Sequence, residues 1–204
     1  MNWPQFSTQH SYSQRGQSLA TFLLGVAMAL MPFPAWAQVC SLGSPVEASD
    51  TNRLFVSDRL HIAFSLPDNY RAMLRRNGNI TLHDPATFAF LQCLARTGRY
   101  GRIPLPVTVE SAPVSNDSLQ DLGQLVRHKR PWIDYYNPEL TATTFLGQPA
   151  LAYRYIQDIS GIEIANVSFL HADGSVLITV TGPANDPVFQ TLLTTFELTT
   201  FGAI

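Results

Sequence analysis

Four of the five histidines and both cysteines of this 204-residue chain lie beyond residue 37, and they are the side chains best suited to chemistry. Metal sites draw neutral imidazoles and thiolates from close spacings such as His-x-x-x-His or Cys-x-x-Cys. Neither spacing occurs around His61, His83, His128 or His171. Two of these histidines do stand near carboxylates, in His83-Asp84 and in His171-Ala172-Asp173, each at the expected end of a strand. If those two ends converged, His83, Asp84, His171 and Asp173 would hold a cation. Otherwise Asp84 caps a helix, Asp173 occupies a turn, and both rings face solvent. Catalytic residues are not indicated. Acyl transfer needs a nucleophile beside a base and an oriented acid, and no Gly-x-Ser-x-Gly elbow, paired acidic motif or phosphate-cradling glycine loop is present. Nothing in the sequence implies a cofactor.

Recognition chemistry is better represented. Arg127-His128-Lys129-Arg130 would grip an anionic partner, or else serve a helix C-terminus, where the macrodipole favours cations. Trp132, Tyr135 and Tyr136 follow in a proline-bounded loop, and such rings give large contact area for little entropy. Arg71, Arg75, Arg76, Arg96, Arg99 and Arg102 add a basic bias to the first half, either as one docking face or as scattered solvated charges. The formal net charge of −2 argues against a general nucleic-acid binder, whose affinity rests on neutralising many phosphates.

These groups need a compartment and a scaffold. The opening 16 residues are polar without an acid, and an apolar run from Leu19 to Met31 follows. At roughly 13 residues that run is too short to span a bilayer and suits the core of a signal peptide. Pro32 and Pro34 end it, and Ala35-Trp36-Ala37 offers small residues where signal peptidase cuts, before Gln38. Residues 1–37 are therefore read as a leader, 38–58 as an extended arm and 59–204 as a single domain without a membrane span. In an oxidising compartment Cys40 and Cys93 would close a disulfide.

Within the domain, Leu60–Leu66 alternates as a strand, and the Asn77-Gly78-Asn79 turn leads into another at Ile80–His83. Asp84-Pro85 opens a helix closed by Gly98, and Asp186-Pro187 opens a last one. Between them come a strand at Ile103–Val109 and a helix from Ser118-Leu119-Gln120-Asp121, close to a capping box. Four more strands follow: Thr141–Leu146 and Ala150–Gln157 around Gly147-Gln148-Pro149, then Ile162–His171 and Ser175–Thr181 joined by Asp173-Gly174. Such short links force antiparallel neighbours, so the fold is α+β, an antiparallel sheet flanked by helices.

The order of a helix, a strand ending in Gly147-Gln148-Pro149-Ala150, the strand Leu151-Ala152-Tyr153-Arg154-Tyr155, a long hairpin and a final helix near Phe196 resembles the PsbP-like superfamily. Leu66-Pro67 and Thr81-Leu82-His83-Asp84-Pro85 sit where that family has its first strands. The superfamily includes extrinsic photosystem II subunits, related lumenal proteins and bacterial periplasmic lipoproteins. The resemblance implies an α-β-α sandwich and a non-enzymatic assembly, scaffold or stabilising role. The Phe88–Arg96 helix and the cysteine pair are additions to the pattern. The expectation is therefore an exported monomer of the periplasm, thylakoid lumen or extracellular space that binds a protein partner. A metal-binding protein and a secreted hydrolase are the alternatives.

Overall fold

A computed structural model describes residues 39–114 and 121–199, which belong to one unit. The expected leader 1–37 and the Ser118–Gln120 start of the capping box lie outside the described residues.

The elements run β1 (Asn52–Ser57), β2 (Ile62–Pro67), β3 (Arg71–Leu74), β4 (Ile80–His83), α1 (Pro85–Thr97), β5 (Val107–Pro113), α2 (Leu122–Lys129), α3 (Ile133–Tyr136), β6 (Thr141–Phe145), β7 (Gln148–Ile156), β8 (Glu163–Leu170), β9 (Val176–Pro183), α4 (Pro187–Thr195) and β10 (Glu197–Leu198). A seven-stranded sheet has the order β3-β4-β5-β9-β8-β7-β6, and a smaller sheet the order β1-β2-β10. Every pairing is antiparallel, as the short connections require.

The helix starts follow from capping chemistry. Asp84 accepts from the backbone N–H of Ala86 and Thr87, and Asp186 from Val188 and Phe189, each with proline in the first turn. Gly98 closes α1 in the left-handed region, where a side chain would be strained.

One core fills the space between the large sheet and the layer formed by β2 and α4. It joins Ile62, Phe64 and Leu66 of β2 and Val188, Phe189 and Leu192 of α4 to Val107, Val109, Phe169, Ile178 and Val180. Gly182 makes this approach possible, because a Cβ there would lie 2.7 Å from the Phe189 ring. On the opposite face, Leu125 and Val126 of α2 and Ile133 of α3 pack on Leu151, Tyr153 and Leu177. The architecture is α+β with helices on both faces of an antiparallel sheet.

Several expectations are corrected. The arm is extended only through Thr51, because residues 52–57 pair with β2 as β1. The strand expected from Ile103 begins at Val107, after Pro104 and Pro106, which cannot donate to a ladder. The β6–β7 turn falls on Leu146 and Gly147, both with positive φ, and Gln148-Pro149 already belongs to β7. Trp132–Tyr136 is not a loop throughout, since α3 occupies Ile133–Tyr136. Strands β3 and β10 were not anticipated.

Cys40 and Cys93 are joined, with their Cα atoms 5.7 Å apart. Closing a loop with a sequence separation of 53 restricts the unfolded chain by about 4 kcal/mol. The bond ties the arm to α1, and hydrogen bonds from Val46 N to Asp84 (3.3 Å) and from Ser49 N to Asn69 (3.0 Å) hold its course. Among the described residues no helix is long and apolar enough to cross a membrane.

Candidate partner-binding surface

The apolar stripe of α2 turns the end of that helix onto the sheet, and this separates the three cations that follow each other there. Arg130 is 6% exposed. Its Nη1 lies 3.0 Å from Glu110, and its guanidinium stands 4.8 Å from the centre of the Trp132 ring. That placement makes Arg130 an interior ion pair and corrects its reading as a partner-gripping cation. Arg127 pairs at the surface with Asp134 at 2.7 Å. Lys129 is half-buried and lines a cavity of about 180 Å³ with Asn77, Asn79, Glu110 and Thr179.

The aromatic residues do come together. Trp132 meets Tyr155 edge-on at 5.2 Å, Tyr136 stacks on Tyr155 at 4.5 Å, and Tyr135 meets Tyr136 at 5.0 Å. Burial pushes the Tyr155 hydroxyl up to about 12, so it remains protonated. Tyr135 is 75% exposed, and its hydroxyl donates to Asp158 at 2.9 Å, a bond that raises its pKa. Asp158 belongs to the link between β7 and β8, so the rings continue directly into that hairpin. There Ile156, Ile159 and Ile162 are exposed, Ile159 at 73%. Ile159 and Ile162 also line a groove of about 640 Å³ with Leu42, Ile103 and Leu105. Ile159 escaped the sequence reading because a hairpin link has no periodicity, and Tyr155, Ile156 and Ile162 because they were read only as strand residues. Three isoleucines around a turn that needs only polar residues were the available signal.

The histidine and carboxylate quartet does not assemble. His83 is 2% exposed, and its Nε2 is met by Arg75 Nη2 at 3.0 Å and Thr81 Oγ1 at 2.9 Å. Burial first, and the Arg75 charge second, bring its pKa down to about 4, so the ring is neutral. Burial would raise the Asp84 carboxyl, but hydrogen bonds from Thr87, Val46 and Ala86 outweigh it and hold the group below its ordinary value. Leu82 is level with Val107, and that row of the sheet meets β8 near Ala165, whereas His171 follows the last residue of β8. Six residues of strand, about 20 Å, separate the two levels. Among the described residues no group of three His, Cys, Asp or Glu side chains is placed to hold a metal. His171 instead meets His61, which the sequence reading left outside the quartet, with ring centres 6.1 Å apart. Asp173 is held down to about 2, chiefly by the backbone and hydroxyl of Ser175.

The other arginines serve different neighbours. Arg71 donates to the carbonyls of Asp68 and Tyr70, Arg75 to Thr81 and His83, and Arg102 lines the apolar groove.

No family model and no curated protein matches the chain. Among solved structures it is similar to the cyanobacterial PsbP (CyanoP) of Synechocystis sp. PCC 6803, at 17% identity and a TM-score of 0.45, over 78% of this chain and 97% of that one. A crystal structure from Bacteroides thetaiotaomicron is similar at 8% identity and a TM-score of 0.43, over 73% of this chain and 49% of that one. The first is a PsbP, the resemblance that the sequence carried. Neither likeness assigns a residue or a role here.

Proposed function

We propose that this protein is an exported, non-catalytic accessory domain that docks a protein partner at the end of the sheet where α3 meets the β7–β8 hairpin. The observation that carries this reading is the continuity from Trp132, Tyr155, Tyr136 and Tyr135 through Asp158 to the exposed Ile159 and Ile162. Amphipathic rings beside exposed aliphatic side chains, rimmed by polar groups, are the composition of a protein contact. Arg130 is engaged by Glu110, and His83 by Arg75 and Thr81. The Cys40–Cys93 bond supports an oxidising compartment, in keeping with the leader read at residues 1–37. The assembly or stabilising role that the PsbP-like resemblance implies agrees with a surface that works by contact.

A photo-crosslinking residue placed at Ile159 or at Tyr135 should give one shared adduct in the cells that make the protein. The same group at Leu54, which is also exposed but lies on β1, should not give it. Equal labelling from all three positions, or robust substrate turnover by the purified protein, would overturn the reading.

A further inference from the structure

We propose that the groove between the N-terminal arm, the α1–β5 link and the β7–β8 hairpin holds an extended acidic segment of the protein partner, with the Cys40–Cys93 bond building one wall. The inference rests on the docking reading above and names the chemistry of the partner. The groove measures about 640 Å³, within the range of about 300–1,000 Å³ that suits a bound ligand. Leu42, Ile103, Leu105, Ile159 and Ile162 line it from three separate parts of the chain. An extended segment places alternate side chains on opposite faces. Aliphatic residues at every second position would fill the groove and leave the others at its rim.

The rim sets the charge of those others. From Pro85 to Val109 the chain carries three arginines, Arg96, Arg99 and Arg102, and neither lysine nor acid, although its overall net charge is −2. All three arginines are exposed, and Arg102 lines the groove itself. Gly101 keeps this link close to α1, since a Cβ there would lie 2.7 Å from the Phe90 ring. Two acids stand nearby, and both are engaged. Asp186 accepts from Val188 N at 2.7 Å, at a helix N-terminus whose dipole offsets its charge. Asp158 accepts from the Tyr135 hydroxyl at 2.9 Å. What meets an incoming chain is therefore positive, and carboxylates complement it. A bilayer is also anionic, but it takes up apolar side chains from a face laid flat on it, whereas these line a hollow.

The disulfide matters because Leu42 lies two residues beyond Cys40, which is bonded to Cys93 of α1. The bonds from Val46 N and Ser49 N hold the arm only further along. Reduction releases the end that carries Leu42, and with it one apolar wall.

The test begins by panning the purified oxidised protein against a phage-displayed library of random peptides. Enriched sequences should alternate aliphatic residues with Asp or Glu. A synthetic peptide alternating Leu and Glu should bind in fluorescence anisotropy, and versions with Lys for Glu or Ser for Leu should not. Arg102→Glu, Ile159→Asp and reduction with dithiothreitol should each weaken binding at least about tenfold, and Leu54→Asp on β1 should not. Because reduction could loosen the fold elsewhere, Arg102→Glu supplies a second readout: it should gain affinity for the lysine peptide. Enrichment of basic sequences, or tighter binding to phosphatidylglycerol vesicles than to the acidic peptide, would overturn the proposal. A shared crosslink from Ile159 and Tyr135 that forms at equal yield in Arg102→Glu would refute the acidic occupant and leave the docking reading standing. Its absence from the wild-type protein would refute both.

Discussion

Alternation along β5, β8 and β9 divides the large sheet into two unlike faces. Towards β2 and α4 stand Val107, Val109, Ala165, Phe169, Ile178 and Val180, merged into one apolar core. Towards α2 and α3 stand Glu110, Asn166, Ser168, Thr179 and Thr181, with Tyr153 from β7. Here a smaller apolar cluster with Leu151 and Leu177 under α2 and α3 borders a hydrogen-bonded patch: Ser168 with Thr179 at 2.9 Å, Tyr153 with Ser168 at 3.3 Å, and Thr181 donating to Asn166 at 2.9 Å. The same strands supply both faces because successive side chains point oppositely. The first face is specified by volume. The second is specified by partners, and a polar group there costs most when its partner is missing.

The largest effect should come from removing volume on the apolar face. Phe189 is buried against Gly182, and Phe189→Ala leaves a cavity that neighbouring strands cannot close. Its expected cost is about 3–5 kcal/mol in urea unfolding. Tyr153→Phe on the polar face keeps the volume and loses one hydroxyl, for about 1 kcal/mol. Equal losses in the two variants would remove the distinction between the faces.

A smaller effect should come from Glu110→Ala, which strips Arg130 of its carboxylate inside the structure. Breaking a buried pair costs about 3–5 kcal/mol, and because the Glu110 side chain is 34% exposed, the expected loss here is about 2 kcal/mol. Replacing both partners, with Glu110→Leu and Arg130→Met, should restore most of that stability, since no uncompensated charge remains. A double variant no better than the single one would mean that Arg130 matters for its shape rather than for its pairing.

What was legible in the sequence was what neighbours decide. Asp84-Pro85, Gly98 and Asp186-Pro187 mark helix ends through bonds spanning a few residues, and the structure keeps all of them. Asp173-Gly174 marked the β8–β9 turn for the same reason. Strand order was beyond such reasoning. β10 is two residues long and exists only because β2 lies beside it, and β1 hid in a stretch read as an arm for lack of a partner in view. The sites suffered likewise. Whether Arg130 faces solvent or Glu110, and whether His171 meets His83 or His61, depends on which strands sit level, and no local spacing carries that information. The tyrosine and tryptophan residues after α2 were found from type alone, but their continuation through Tyr155 to Ile159 required the β7–β8 hairpin to fold back beside α3.

The smallest effect is a pH dependence confined to the polar face. On β4, Ile80 and Leu82 belong to the apolar core while His83 and Thr81 alternate with them. His83 is neutral in the fold, with its pKa near 4, against about 6.5 in an unfolded chain. Below pH 6.5 the unfolded chain therefore takes up a proton that the folded protein refuses. Stability contributed by this group is full above that pH, falls as pH drops towards 4, and falls no further once the native ring is protonated too. Between pH 6.5 and 5 the expected loss is about 1.5 kcal/mol. His83→Gln, which has no proton to take up, should lose that much less over the same interval in urea titrations, while Phe189→Ala should keep the wild-type slope. Parallel pH profiles for wild type and His83→Gln would show that the buried ring is charged in the fold and that Arg75 does not oppose its proton.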